Sequence, residues 1–165
     1  MPRDTQREFL AFGLADETYA LPLASVREIL MLQPLTEVPR APSAVLGIFS
    51  VRGRVTTLID ARRRLNLRES ATTPRARVLL VDGGDELIGL LVDRVDQVHR
   101  LAADEIEPAA ALGGDVAEYV AGLGRPGTHE RDEDDGQRLR GHHAPTYGSP
   151  HDILILLDPV LLLKE

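Results

Sequence analysis

The residues best equipped for chemistry in this sequence are four histidines and a few spaced charges. Neutral imidazole is a common ligand of divalent metals, so grouped histidines raise the question of a metal site. The four lie in the stretch 125–151, at His129, His142, His143 and His151. Two of them are adjacent in sequence, and no periodic segment orients any of the four toward one ion. We interpret them as solvated side chains, and we expect neither a metal nor another cofactor.

The patterns of known catalytic sites are absent from the sequence. There is no cysteine, which excludes thiol nucleophiles, disulfides and thiolate metal sites. No phosphate-binding glycine loop, dinucleotide fingerprint or Gly-x-Ser-x-Gly turn occurs. Asp93 and Asp96 are three positions apart, a spacing that places them on opposite faces of a regular strand. We therefore predict no catalytic residues and no enzyme.

One arginine needs a partner. Arg52 lies between two apolar runs of strand length, 48–51 and 55–59. An unpaired guanidinium is costly to bury, so a sequence that built only a core would not place an arginine here. We expect Arg52 either to pair locally and pack its stem or to face a binding surface.

Composition excludes several classes of protein. The chain has 165 residues, which permits one domain or two closely joined lobes. Apolar residues make up 43% of it and aromatic residues only 4%, so the core must be aliphatic. The formal net charge of −7 offers no basic excess for nucleic acid. The start of the chain lacks a signal peptide, and the apolar run 153–163 is too short to span a bilayer. These features fit a cytoplasmic protein without membrane insertion.

The elements that must position these charges come as a repeat. Residues 9–29 align without a gap on residues 78–98, at an offset of 69. Identical residues occupy five of the aligned pairs: Leu10/Leu79, Asp16/Asp85, Glu17/Glu86, Leu21/Leu90 and Val26/Val95. Both copies have the pattern of strand, tight turn and strand, followed by a third strand or a kink. We interpret the repeat as an internal duplication of a small β unit.

The second part of the unit recurs less regularly. Residues 45–48 resemble 120–123, and residues 57–60 resemble 155–158. Asp60 and Asp158 each end a strand and are placed to cap a short helix, 60–66 and 158–164 respectively. Two such units predict two small β-barrels or curled sheets packed together.

One stretch does not follow the repeat. Residues 125–151 contain three apolar residues in 27, with four glycines and three prolines. Such a composition cannot offset the entropy cost of ordering the chain, so we predict a mobile loop between two strands of the second lobe.

The order and spacing of several segments resemble the CheW family of bacterial chemotaxis coupling proteins. The resemblance covers roughly residues 8–124 and 152–164. The segments that carry it are 19–29 (YALPLASVREI), 38–42 (VPRAP), 46–62 (LGIFSVRGRVTTLIDAR), 89–98 (GLLVDRVDQV), 106–108 (IEP) and 120–124 (VAGLG). The chain departs from the family at Ser50, where an asparagine is usual, and at 125–151, where a tight turn is usual.

The resemblance implies an all-β fold with short helices, in which two pseudo-symmetric, five-stranded SH3-like barrels share a core. It implies one CheW-like domain over 8–164, with lobe 1 at about 8–66 and lobe 2 at about 76–164. The mobile loop 125–151 belongs to lobe 2, and the final helix, 158–164, is able to pack across the lobes.

The resemblance also implies a non-enzymatic scaffold in chemotaxis or motility signalling. Its partners are the regulatory domain of a CheA-type histidine kinase and the cytoplasmic tip of methyl-accepting chemoreceptors, which recruit it to membrane receptor arrays. The kinase-facing surfaces fall on the regions 35–41 and 113–119. The receptor groove is assigned to Val26, Glu28, Ile29, Gly47, Arg52, Val95 and Val98.

In this groove a Glu28–Arg52 pair would form a wall and the apolar residues a floor for a receptor helix hairpin. Gly47 has two interpretations: it allows a partner helix to approach closely, or it caps a short helix that begins at Pro42.

Two other functions stay open. The first is a specialised CheW-like adaptor that binds a receptor or another partner but not the kinase. The long stretch 125–151 is the feature that supports this alternative. The second is a small-molecule sensor with a ligand between the lobes, against which the missing polar constellation and the few aromatic residues argue.

Overall fold

The computed structural model describes residues 6–68, 71–111, 118–127 and 153–164. Its strands are β1 (Arg7–Leu14), β2 (Glu17–Pro22), β3 (Val26–Leu30), β4 (Val45–Val51), β5 (Arg54–Asp60), β6 (Arg77–Asp82), β7 (Leu87–Val92), β8 (Arg94–Leu101), β9 (Ile106–Pro108), β10 (Val120–Gly124) and β11 (Leu154–Leu157). Its α-helices are α1 (Ala61–Arg64) and α2 (Pro159–Leu163). Three single 3-10 turns lie at Leu23–Ser25, Ala103–Glu105 and Ala109–Ala111.

The strands form two sheets, and each sheet takes strands from both halves of the chain. The first has the order β3-β6-β7-β5-β4, and the second has the order β8-β1-β2-β11-β10-β9. We call these sheets the first and the second barrel. Each repeat thus gives its leading hairpin, β1–β2 or β6–β7, to the barrel that the other repeat completes. The sequence division into 8–66 and 76–164 therefore separates the two repeats and not the two barrels.

The exchange follows the repeat closely. Leu58 of β5 pairs in parallel with Gly89 of β7, and Leu156 of β11 pairs in parallel with Ala20 of β2. Gly89 and Ala20 are related by the offset of 69. The duplication predicted from residues 9–29 and 78–98 is confirmed, since both copies form a hairpin followed by a third strand.

Alternation along β1 and β6 explains why each hairpin needs cover on both faces. On β1, Phe9 packs inside the second barrel while Phe12 packs in a cluster that both sheets share. On β6, Val78 packs inside the first barrel while Leu79 joins the same shared cluster. A strand that is apolar on both faces is stable only between two layers. The shared core expected for this fold is thus made by the exchanged hairpins.

The two barrels differ by one strand. In the second barrel, β9 pairs with β10 through Pro108, Glu107 and Ile106. In the first barrel, the corresponding contact is a single bridge between Thr36 and Ile48 of β4. The expectation of five strands in each barrel therefore holds for the first sheet, and the second sheet has six.

Both predicted capping aspartates begin short helices. Asp60 accepts a hydrogen bond from Arg62 N at 2.9 Å, and Asp158 accepts one from Val160 N at 2.9 Å. Each carboxylate satisfies a backbone N–H that has no partner within its helix. Leu162 and Leu163 of α2 are buried in the shared cluster, which includes strands of both repeats.

Most of the stretch 125–151, including its four histidines, lies outside the described residues. The predicted mobility of this stretch stays a prediction. In the described part of the chain, no helix is long and apolar enough to cross a membrane.

Candidate functional site

Strand β3 supplies one side of the apolar floor assigned to the groove. Among the described residues, β3 lies at an edge of its sheet and pairs with β6 alone. Val26 lies opposite Val81 and Ile29 lies opposite Leu79, both of which are buried in the shared core. Paired residues share a face of the sheet, so Val26 and Ile29 both face the side on which the barrels meet.

Strand β8 repeats this arrangement at the edge of the other sheet. Val95 lies opposite Phe12 and Val98 lies opposite Leu10, again two residues of the shared core. The four floor residues therefore occupy matching places in the two repeats.

Two irregularities in pairing make this possible. Residues three apart lie on opposite faces of a regular strand. The register shifts between Val26 and Glu28, where β3 has one residue more than β6, and between Val95 and Val98, where β8 has one residue more than β1. Each extra residue returns Ile29 or Val98 to the core side. Ile29 and Val98 remain 46% and 43% exposed, so the floor is open to a partner.

Gly47 has a role that neither sequence interpretation anticipated. It lies within β4 and is buried, and a Cβ placed there would be 2.6 Å from the carbonyl oxygen of Thr36. The interpretation as a helix cap is wrong, because Gly47 lies inside β4 and residues 42–46 form no helix. The close approach that needs glycine is made by this chain itself.

The predicted pair between Glu28 and Arg52 is present. Arg52 Nη1 donates to Glu28 Oε2 at 2.8 Å, and Arg52 Nη2 donates to Glu28 Oε1 at 2.7 Å. This two-point hydrogen bond holds the pKa of Arg52 above its ordinary value. Arg52 lies in the turn between β4 and β5, with a φ of 48°, and its side chain is 73% exposed against 28% for Glu28. The pair joins β3 to the hairpin at the opposite edge of the sheet, so it also closes the first barrel.

A second ion pair borders the same strand. Arg27 of β3 donates to Asp82 at 2.9 Å, and both side chains are exposed. This hydrogen bond, together with one from Gly84 N, holds the pKa of Asp82 below its usual range. On β8, burial lowers the pKa of His99.

The basic run 62–64 contacts the body of the protein. Arg62 forms an ion pair with Asp93, and Arg63 donates to Ser43 O at 3.1 Å. Arg64 donates to Leu162 O at 2.6 Å and lies over the ring of Tyr119. Of the two ordinary explanations for such a run, a solvated face or a set of local partners, the structure shows the second.

Sequence reasoning did not identify the contacts of two carboxylates, Asp93 and Glu105, which are partly or fully buried. Asp93 accepts from Arg62 and from Ala15 N, which lies 78 positions away. Glu105 is 6% exposed and accepts from Ala102 N and from Gly127 N. The signal for Asp93 was the basic run 62–64, which lies 31 positions earlier and has no obvious partner in the sequence. Glu105 had no signal, because its donors are backbone groups.

The arrangement is suited to binding. The residues assigned to the groove combine apolar side chains on two edge strands with an exposed ion pair. Among the described residues there is no group of three potential ligands that could hold a metal ion.

Comparison with known proteins agrees with this geometry. The family model described as the CheW-like domain matches residues 8–165. The chain is 35% identical over 82 residues to the chemotaxis protein CheW of Helicobacter pylori, covering 50% of each chain. It is 32% identical over 85 residues to CheW of Bacillus subtilis, covering 52% of this chain and 54% of that one. It is 33% identical over 85 residues to the protein FrzA of Myxococcus xanthus, covering 52% and 53%.

The matched part of the chain spans about half the length of these curated relatives. Among solved structures, the scaffolding protein TtCheW from Thermoanaerobacter tengcongensis matches with a TM-score of 0.76 and 20% identity. That match covers 98% of this chain and 94% of the other, and it shows the shared fold.

Proposed function

We propose a function from one premise: the chain belongs to the CheW-like domain family. Proteins of this family act as scaffolds and adaptors in chemotaxis and not as enzymes. The proposed function is to couple transmembrane chemoreceptors to a CheA-type histidine kinase, in the cytoplasm at the receptor arrays. The single observation that carries the proposal is the apolar floor of β3 and β8 beside the exposed Glu28–Arg52 pair.

The floor fits the tip of a methyl-accepting chemoreceptor, which presents a helical hairpin. An amphipathic helix binds by laying its apolar face into a groove, with contacts every three or four residues. Val26, Ile29, Val95 and Val98 supply such contacts from two edge strands. Gly47 contributes indirectly. Its lack of a side chain allows the backbone at Thr36 to pack closely against β4, the strand that leads into the turn with Arg52.

Arg52 is available to a partner as well as to Glu28. A guanidinium has five N–H donors, so the two hydrogen bonds to Glu28 leave three for other acceptors. Its side chain is the more exposed member of the pair. Glu28 thus holds the guanidinium in one orientation while its free edge meets the receptor.

The kinase regulatory domain is proposed to bind at the regions 35–41 and 113–119. The first region is tied to β4 at Thr36, and it exposes Val38 to solvent. Of the second region, residues 118 and 119 are described, and Asp158 N donates to Tyr119 O at 2.8 Å.

The test measures binding of a receptor-tip fragment by calorimetry to the full chain and to Arg52→Ala. We expect weaker binding with a nearly unchanged melting temperature, because the pair is exposed to solvent. Arg27→Ala, which removes a different exposed pair from the same strand, is the matched control for charge and expression. A clear loss of stability with unchanged receptor binding would assign Arg52 to the structure alone.

The adaptor that lacks kinase binding is a second candidate, favoured by the stretch 125–151 in place of a tight turn. Titration of the kinase regulatory domain distinguishes the two functions. We expect the same affinity for the full chain and for a variant in which 126–150 is replaced by a four-residue turn. Kinase binding that is detected only in the shortened variant would favour the adaptor.

A further inference from the structure

The carboxylate of Asp93 gathers three separate elements at the start of β8. Its Oδ2 accepts from Ala15 N at 2.7 Å, in the turn between β1 and β2. The same oxygen accepts from Arg62 of α1, at 3.0 Å from Nε and through Nη2 as well. The backbone N of Asp93 donates to Gly13 O at 3.0 Å. One residue therefore ties the β7–β8 junction to a helix and to a turn from the other end of the chain.

Burial makes this junction more demanding than the surface pairs. The side chains of Arg62 and Asp93 are 13% and 25% exposed. Loss of one member would leave a partly buried charge without its partner. Ala15 has a φ of 53°, a region that L-residues rarely occupy, and the Asp93 carboxylate is the acceptor that satisfies its N–H there.

The position of the junction connects it to the groove floor. Val95 and Val98 lie on β8, which begins directly after Asp93. The pairing of β8 with β1 shifts register between Leu10 and Phe12, where β8 has one residue more than β1. The place of this bulge decides which residues of β8 face the groove. Anchoring the chain at Asp93, the residue before β8, fixes where the bulge falls and so directs both valines to the groove.

We propose that Asp93 and Arg62 are positioning residues for the receptor groove, and this inference rests on the proposed function. They fix the start of β8 against α1 and the β1–β2 turn, so that Val95 and Val98 face the receptor. A site held loosely by its supporting residues loses affinity even when every contact residue is present.

The experiment uses the full-length chain with valine methyls labelled for NMR. Asp93→Asn keeps the shape of the side chain but removes its charge. We expect the Val95 and Val98 methyl resonances to shift, Ala15 amide exchange to accelerate, and receptor-tip affinity to fall on the order of tenfold. Arg62→Lys, which keeps the charge without the planar fork, should show a smaller shift and retain part of the affinity.

Glu107→Gln is the matched control. It makes the same change of charge at an exposed ion pair with Arg125, on β9 at the opposite edge of the same sheet. We expect neither shifted valine methyls on β8 nor weaker receptor binding in this variant.

Unmoved Val95 and Val98 methyls in Asp93→Asn would overturn the proposal, and so would shifted methyls with unchanged affinity. A variant that melts earlier but binds as the wild type does when folded would assign the pair to stability alone, which also overturns it. If Asp93→Asn fails to fold, the same readouts in Arg62→Lys decide. If the wild type itself binds no receptor tip, the proposed function fails, while the methyl shifts still report whether the pair positions β8.

Discussion

Strand β4 of the first barrel and strand β10 of the second meet their neighbours in the same way at one glycine. A Cβ on Gly47 would lie 2.6 Å from Thr36 O, and a Cβ on Gly122 would lie 2.3 Å from Glu107 O. The capping aspartates also match between the barrels. Asp60 N donates to Ala44 O, just before β4, and Asp158 N donates to Tyr119 O, just before β10, both at 2.8 Å. Both copies of the unit therefore share these backbone contacts.

The charged contacts follow a different rule. Glu28 of the first barrel corresponds to Gln97 of the second through the offset of 69. Arg52 lies five residues after Gly47, and the residue five positions after Gly122 is Gly127. The wall of the candidate groove therefore exists in one barrel only. The anchor Asp93 corresponds to Ala24, so it too belongs to one copy. Duplication supplied a symmetric frame, and the charged residues assigned to the candidate groove break that symmetry.

The largest expected effect comes from the core that the barrels share. Phe12→Ala should lower the free energy of unfolding by about 3–5 kcal/mol, because it removes a fully buried ring between the two sheets. Amide exchange should accelerate in both barrels together. Exchange that accelerates in the second barrel alone would show that the barrels unfold separately and would break the comparison.

The paired glycines test the symmetry of the frame. Gly47→Ala and Gly122→Ala should each lower the free energy of unfolding by about 1–3 kcal/mol, since each added methyl meets a backbone carbonyl. Chemical denaturation measures both. Gly84→Ala is the control, because the space around it is open. Its φ of 106° makes the control a strict one, since the added methyl meets backbone strain there but no neighbour. If the two core-side variants cost no more than this control, the close approach is not a requirement of the fold.

The capping aspartates should give a smaller, matched pair of effects. Asp60→Ala and Asp158→Ala should each lower stability by about 1 kcal/mol, through loss of the hydrogen bonds to the first N–H groups of α1 and α2. Asp→Asn at each position retains an acceptor oxygen and should recover most of the loss. Similar values in thermal melts sharpen the comparison; a large difference would show that one helix is held mainly by its other contacts.

The smallest expected effect is a pH dependence confined to the second barrel. Burial lowers the pKa of His99, whose counterpart in the first barrel is Leu30. The unfolded chain then binds more protons than the folded one, so stability should fall as pH drops below about 6.5 toward the lower folded pKa. His99→Leu should flatten this slope, and the four other histidines, present in both proteins, cancel. Parallel slopes in the two proteins would contradict the assignment.

Sequence patterns predicted the parts of the molecule that depend on local periodicity. The alternation in 9–29 and 78–98 predicted both hairpins, and the acceptors Asp60 and Asp158 predicted both short helices. The Glu28–Arg52 pair was predicted through the family resemblance, since the two residues are distant in sequence and no local pattern joins them.

The exchange of hairpins between the repeats could not be predicted from local sequence patterns. Strands that are apolar on both faces must lie between two layers, but alternation cannot say which repeat provides the second layer. The same limit hid the role of Gly47, because nothing near it in sequence marks Thr36 as the segment that approaches.

Local patterns thus determined which segments are strands, where the turns and caps fall, and that the unit occurs twice, because these depend on neighbours along the chain. Tertiary structure alone decided which faces the edge strands turn toward the groove and which carboxylate each arginine meets. Register shifts in β3 and in β8 reverse the ordinary alternation, and Asp93 accepts hydrogen bonds from Ala15 N and from Arg62. Such contacts depend on how distant segments pack, and this packing cannot be predicted from residue spacing along one strand.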